Sequence, residues 1–248
     1  MRPEGKSKIL EGSGLILSAP VLPYPLYSGG RCRKGGFSMK CVISAGPTRE
    51  RIDAVRFLSN RSSGKMGYAL AEAARDAGHE VVLVSGPTAL AAPTGVTLAR
   101  VEPAGDMAEA MFERPADAGL VIMAAAVADY RPVRTLPGKM KKTPGNLTIE
   151  LERTVDILAE LGRRKPAGQI LIGFAAETDD LLANAAGKLK RKNLDWIAAN
   201  DVSRNDIGFG SDNNAVTLLG RHGERVDFAP DSKYEIARRI LEEVTAGR

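Results

Sequence analysis

The sequence predicts an α/β fold: a three-layer, Rossmann-like, mostly parallel sheet with helices on both faces and an added antiparallel hairpin. Three observations carry the prediction. Short apolar runs alternate with helical stretches from residue 39 onward. The runs stop at Gly and Pro, as buried strands do. Near the end, two apolar runs bracket Arg221-His222-Gly223, the pattern of a hairpin. Strands that alternate with helices form a parallel sheet covered on both sides.

The elements follow in order. KCVISAG (40–46) is an apolar run that ends at Gly46-Pro47 and reads as a buried strand. Residues 64–77 read as a helix that Ser62 or Ser63 can cap, that Ala and Leu fill, and that Gly78 stops. HEVVLVSGP (79–87) and GVTLARVE (95–102) read as strands, 104–114 as a helix, and GLVIMAAAVADY (119–130) as one long strand. A loop rich in Pro, Gly and Lys leads to strand NLTIELE (146–152), helix 154–164 and strand QILIGFAAE (169–177). Helix 179–192, strand LDWIAAND (194–201) and a loop to about residue 212 come next. NAVTLLG (214–220) and ERVDFA (224–229) form the hairpin, and a last helix spans 231–246. No internal repeat is present.

Composition narrows the function classes. Apolar residues make up 44% and charged residues 26%, which is ordinary for a soluble globular chain. The net charge of +5 would suit nucleic acid if it were spread over the fold. It is not. Residues 1–40 hold seven Lys/Arg and two Glu, and residues 41–248 hold 28 charges of each sign. Neither a nucleic-acid nor a membrane partner is expected, because no apolar run approaches the ~18 residues of a span. Cys32 and Cys41 are too few for a disulfide framework and read as reduced thiols of a cytoplasmic protein. Residues 1–38, rich in Gly, Pro and Ser, read as a disordered leader, and 39–248 as one domain. As a signal peptide the leader is poor, since Glu11, Gly12, Gly14 and three prolines interrupt it.

In a parallel sheet, ligands gather beyond the carboxyl ends of the strands. The loops after VISAG, VIMAAA and LIGFAA should therefore build the site. The first carries Arg56, Ser59, Asn60, Arg61, Ser62, Ser63, Gly64 and Lys65 just ahead of a helix. Free amides and the helix dipole meet there, so the turn is a candidate anion cradle. It is not a P-loop, which needs Gly and Ser/Thr where Ser59 and Met66 stand. A dinucleotide G-x-G-x-x-G is missing as well. The second loop starts with Ala124, Ala125 and Ala126, small enough for close approach of a ligand, followed by Asp129. Asp129 could meet an amide, a hydroxyl or a metal, or could cap a helix. The third sets Lys139, Lys141 and Lys142 between Pro137-Gly138 and Pro144-Gly145, the pattern of a mobile lid. On helix 179–192, Lys188 and Lys192 are four apart and share a face, which suits a polyphosphate or plain solvent. His79 and His222 have no zinc spacing and no nucleophilic partner.

These residues together resemble one family, phosphopantothenoylcysteine synthetase, the synthetase half of the bacterial coenzyme A biosynthesis flavoprotein. The resemblance covers about 39–246 and rests on SAGPTRERIDAVRFLSNRSSGKMG, AAVADYRP, GKMKK, GFAAET, KRKNLDWIAANDV and GFGSDNNAVTLL. It implies a ligase that joins 4′-phosphopantothenate to L-cysteine with CTP and Mg²⁺, through an acyl-cytidylate. It also implies a homodimer. The family's decarboxylase half has no counterpart in these residues, so a stand-alone synthetase without flavin is expected, with a separate decarboxylase as a possible partner.

The resemblance also implies roles. Asn60 matches the asparagine that contacts the pantothenate arm and the acyl intermediate, and Lys139 the lid lysine. Arg56 matches an arginine that reaches the neighbouring subunit's phosphopantothenate. The Ser62–Lys65 turn is expected to receive the phosphopantothenate arm or its phosphate. Met123, Ala124, Ala125 and Asp129 match contacts to the nucleotide sugar and substrate. Val155, Asp156, Ile157, Leu158, Phe174, Lys188 and Lys192 match the CTP pocket. One segment departs: the family commonly has Asn-Pro-Asp-Ile where this chain has Thr154-Val155-Asp156-Ile157. Three other readings are an ATP-dependent version of the reaction, a nicotinamide-dependent reductase, and a non-catalytic nucleotide-binding module.

Overall fold

The structure, a computed structural model, describes residues 38–142, 144–177, 181–201 and 211–246. The expected leader, the start of the predicted helix at 179 and most of the loop before residue 212 lie outside the described residues.

The chain runs β1 (Lys40–Ala45), β2 (Arg49–Arg51), β3 (Phe57–Ser59), α1 (Lys65–Asp76), β4 (Glu80–Ser85), β5 (Thr97–Arg100), α2 (Ala104–Glu113) and β6 (Leu120–Met123). It continues with β7 (Tyr130–Pro132), β8 (Leu151–Arg153), α3 (Ile157–Arg164), β9 (Ile170–Glu177), α4 (Leu181–Arg191) and β10 (Trp196–Asp201). The hairpin β11 (Asn213–Gly220) and β12 (Arg225–Ser232) precedes α5 (Lys233–Thr245). One eight-stranded sheet has the order β12-β11-β10-β9-β6-β1-β4-β5. All its pairings are parallel except those of β11 with β10 and β12.

Both faces of the sheet are covered, which is why its strands read as unbroken apolar runs. Alternate residues of a strand point to opposite faces. Cys41 and Ile43 of β1, Leu83 and Ile122 pack with α1 and α5 through Leu70, Ala74, Ile236 and Ile240. Val42, Val84, Val121 and Leu171 pack on the other side with Met107, Met111, Leu161 and Leu189 of α2, α3 and α4. Burying one such Leu or Ile side chain is worth about 1.5–3 kcal/mol.

The topology decides where a ligand can sit. From β1 the chain builds outward through β4 and β5, then returns to lay β6 on the other side of β1. This reversal opens a crevice at the carboxyl ends of β1 and β6. Ser44 is level with Met123, so the two strands end together.

Some sequence expectations are corrected here. The run 119–130 is not one strand. β6 ends at Met123, and the chain leaves the sheet to pair locally: Ala126 N donates to Gly46 O at 2.9 Å and Thr48 N to Ala126 O at 3.2 Å. Tyr130–Pro132 then pairs with Leu151–Arg153 in a separate ribbon. NLTIELE contributes only those last residues, which remain exposed and bury no apolar face. Neither Ser62 nor Ser63 caps α1. Gly64 holds that position with φ 80°, and the Ser62 hydroxyl accepts from Gly64 N at 3.3 Å instead. The left-handed conformation is one that glycine tolerates and serine does not. The β2–β3 hairpin was not predicted, because three-residue polar strands carry no periodic signal.

Candidate active site

The crevice holds a cavity of about 330 Å³. Its floor is the close approach of α1 to β1. A Cβ on Gly67 would lie 2.5 Å from Ala45 Cβ and 2.9 Å from Ser44 O, so only glycine lets the helix start this near the strand end. Ser62, Ser63, Gly64 and Lys65 form one wall there.

The loop after β6 forms the second wall, with Met123, Ala124, Ala125 and Asp129 on the cavity. Its path is held from below. Ser44 Oγ accepts from Ala125 N at 3.1 Å, and Thr48 Oγ1 accepts from Ala128 N at 3.0 Å. Asn60 reaches the same loop, donating from Nδ2 to Ala126 O at 2.9 Å. Asn60 itself does not line the cavity but bonds a residue that does.

The third wall is Val155, Asp156, Ile157 and Leu158 at the start of α3, with Phe174 on β9 beside it. Thr154 ties this wall to the second: its N donates to Asp129 O at 3.0 Å and its hydroxyl to Ala128 O at 2.6 Å. The residue that departs from the family pattern thus has a place in the framework. Asp156 caps α3, accepting from Ala159 N at 3.0 Å, and also accepts from Lys192 Nζ at 2.8 Å. Burial pushes its carboxyl up. The hydrogen bonds from Lys192 and the Ala159 amide, with the charges of Lys192 and Lys188, outweigh that and hold it below the ordinary value. Lys188 of α4 and Lys192, just past its end, both line the cavity.

Sequence reasoning missed several lining residues, among them Asn200, Asn214 and Lys233. Asn200 ends an apolar run at a strand's carboxyl end, and that signal could have found it. Its Oδ1 is buried and takes no hydrogen bond among the described residues, which is uncommon for an amide oxygen. Lys233 opens α5 and donates to the carbonyls of Ser211 and Asn213. Its ammonium is pushed below the ordinary value by burial first and then by the nearby Lys65, against the pull of Asp212. Lys65 in turn donates to Asp212 Oδ1 at 2.6 Å. Nothing in the local pattern marks Lys233 as buried.

The structure does not bring Arg56 and Lys139 to the cavity wall. Both lie by the β2–β3 turn, where Arg56 Nη2 donates to Met140 O at 3.1 Å. Among the described residues, no three His, Cys, Asp or Glu side chains converge as a metal cage. Cys41 is buried, and burial pushes its thiol up to about 12, which makes it unreactive. No helix among the described residues is long and apolar enough to cross a membrane. A larger hollow of about 440 Å³ lies at the other end of the sheet, by the amino ends of β9 and β10. There Asp195 accepts from both Lys165 and Arg221 at 2.8 Å. The smaller cavity, at the strand switch, is the one with converging chemistry.

Known proteins agree with this architecture. Residues 37–247 match the family model described as DNA/pantothenate metabolism flavoprotein C-terminal domain. The chain is 50% identical over 206 residues to the coenzyme A biosynthesis bifunctional protein CoaBC of Bacillus subtilis, covering 83% of this chain and 50% of that protein. The chain spans about half the length of the curated relatives it matches. A crystal structure of the C-terminal domain of CoaBC superposes with a TM-score of 0.71 at 47% identity, covering 83% of this chain and 93% of that one. The Streptococcus pneumoniae DNA/pantothenate metabolism flavoprotein superposes with a TM-score of 0.72 at 25% identity, covering 85% and 100%. Sequence and fold agree over nearly all the described residues, and the chain belongs to the family of DNA/pantothenate metabolism flavoprotein C-terminal domains.

Proposed function

We propose that this chain is a ligase of coenzyme A biosynthesis that joins 4′-phosphopantothenate to L-cysteine using CTP. One observation carries the reading. A single cavity at the strand switch collects, from separate segments, a glycine-started helix end, small residues at a strand end, and four lysines, Lys65, Lys188, Lys192 and Lys233. That combination suits two anionic substrates side by side.

The chemistry runs in two steps. A phosphopantothenate carboxylate oxygen attacks the α-phosphorus of CTP. The acyl–phosphate bond forms as the bond to the β-phosphate breaks, and pyrophosphate leaves. The cysteine amine then attacks the acyl carbon, the amide forms, CMP leaves and the amine gives up a proton. Nucleotidyl transfer asks the protein chiefly for positioning and for neutralising charge. In this reading the Ser62–Lys65 turn takes the phosphopantothenate arm or its phosphate. Val155–Leu158 and Phe174 take the nucleotide, with Lys188 and Lys192 on its phosphates. Met123, Ala124, Ala125 and Asp129 lie between the two substrates. Asn60 steadies the loop that faces the reacting carboxylate. Lys139 reaches the developing charge when its loop closes, and Arg56 serves the substrate phosphate of a neighbouring subunit in a homodimer.

Mg²⁺, expected with the triphosphate, would add to the neutralisation of phosphate charge that Lys188 and Lys192 supply. In this reading the activity is cytoplasmic. The lysine-rich nucleotide segment resembles the CTP-using type, and ATP is the second reading. The test is pyrophosphate release with phosphopantothenate and each of CTP and ATP, with and without cysteine. Release with CTP in the absence of cysteine is the expected result. No release with any nucleoside triphosphate, magnesium and both acids would refute the proposal.

A further inference from the structure

Asp53 lies outside the cavity wall, yet its carboxylate accepts five hydrogen bonds. It is buried in the turn between β2 and β3, with its side chain 0% exposed. A buried carboxylate is costly unless its oxygens are satisfied. Here Oδ1 accepts from Val55 N and Arg56 N, each at 2.8 Å. Oδ2 accepts from Arg56 Nε at 2.9 Å, Arg56 Nη2 at 2.6 Å and Met140 N at 3.1 Å.

The last contact spans 87 residues and lands between Lys139 and Lys141. The same Arg56 Nη2 donates to Met140 O at 3.1 Å, so the guanidinium and the carboxylate together grip both ends of one residue. Two further bonds align the loop: Leu136 N donates to Ile52 O at 3.1 Å, and Thr135 Oγ1 to Arg51 O at 3.2 Å. Arg56 remains 45% exposed. Among the described residues its Nη1 has no partner and stays available to an anion.

We propose that Asp53 is a positioning residue that sets Arg56 and the Lys139 loop in one frame. This rests on the reading of those two cations as substrate-facing, given above. One carboxylate holds the guanidinium by one edge and the loop backbone beside Lys139. The position of Lys139 along the reaction and the orientation of Arg56 toward a phosphate are then set together rather than independently. Neither residue lines the crevice, and Arg56 and the backbone beside Lys139 are both held by a group that is not itself in the chemistry.

The experiment combines Asp53→Asn with Lys139→Gln in a double-mutant cycle, read by pyrophosphate release, and adds amide hydrogen exchange of residues 139–142. Asn keeps the size but loses the charge that pairs with Arg56. A misplaced reacting group costs about 10²-fold, so kcat of Asp53→Asn should fall by about that factor, with the KM for CTP within about threefold. In the Lys139→Gln background the same change should cost at least about tenfold less in kcat, because one of the two groups it positions is already gone, while the part that runs through Arg56 should appear in both backgrounds as a raised KM for phosphopantothenate. Exchange at Met140 should quicken by about tenfold or more. Full, additive loss in both backgrounds would show a merely structural role and overturn the proposal, as would unchanged exchange with unchanged kcat. If Asp53→Asn does not fold, Asp53→Glu keeps the charge and moves the carboxylate by one methylene away from the Met140 amide, and the same readouts decide. If the wild-type chain releases no pyrophosphate, the proposed function fails, and exchange alone judges whether Asp53 holds the loop.

Discussion

Replacing Asp156 separates capping from charge in the nucleotide wall. Its Oδ1 caps α3 through Ala159 N at 3.0 Å and also accepts from Lys192 at 2.8 Å. Alanine removes both contacts, and asparagine keeps an acceptor for the cap while removing the charge. Loss of a cap costs about 1 kcal/mol. The ion pair adds little, because the Asp156 side chain is 54% exposed and exposed pairs are worth at most about 0.5–1 kcal/mol. Asp156→Ala should therefore lose about 1–1.5 kcal/mol, or about 3–5 °C in Tm for a domain of this size. Asp156→Asn should melt within about 2 °C of wild type. Both variants release Lys192 from its anchor, and holding a long side chain still costs about 1–2 kcal/mol of rotamer entropy. The KM for CTP should then rise by about three- to tenfold in both. Thermal unfolding by circular dichroism and pyrophosphate-release kinetics read the two effects separately. An asparagine variant that melts as low as the alanine variant would refute the capping argument. A KM unchanged in both would refute the role given to Lys192.

Other predictions follow from single contacts. Lys139→Gln should slow pyrophosphate release by about 10²–10³ with an unchanged melting curve, because the loop carries charge to the reaction and no core packing. Gly67→Ala drives a methyl to 2.5 Å from Ala45 Cβ and should cost about 1–3 kcal/mol in denaturant unfolding, with a matching loss of substrate binding as α1 shifts. His79 accepts from Met39 N at 3.4 Å through Nδ1, and burial holds its pKa below the ordinary value. The unfolded chain takes up the proton near pH 6.5 while the folded chain resists until lower pH. Stability should therefore fall as pH drops through that window, and His79→Gln should flatten the change in Tm between pH 8 and 5.

Much of the fold was legible in the sequence because its signals are local. An unbroken apolar run such as KCVISAG has little choice but to be a strand covered on both faces, and it is. The stop of α1 at Gly78 was readable for the same reason, since a positive φ of 89° favours glycine. The misreadings also have local causes. GLVIMAAAVADY continues to look like a strand after Met123, because small apolar residues carry no mark of the point where the chain leaves the sheet. The Ser62-Ser63 pair looked like a helix cap because the hydroxyls are in register. The backbone turns left-handed one residue later, at Gly64, and the register alone does not show it.

The sequence by itself determined the five α-helices and the strands of the main sheet, and which loops follow those strands' carboxyl ends, because period and composition act over a few residues. Tertiary structure alone decided the rest. The reversal of strand order at β1 chose which of those loops share a crevice. Packing of α5 against α1 set Lys233 near Lys65. A carboxylate in one turn took hold of a loop 87 residues away. These are non-local contacts between residues with no common period, so they become visible only when the chain is closed on itself.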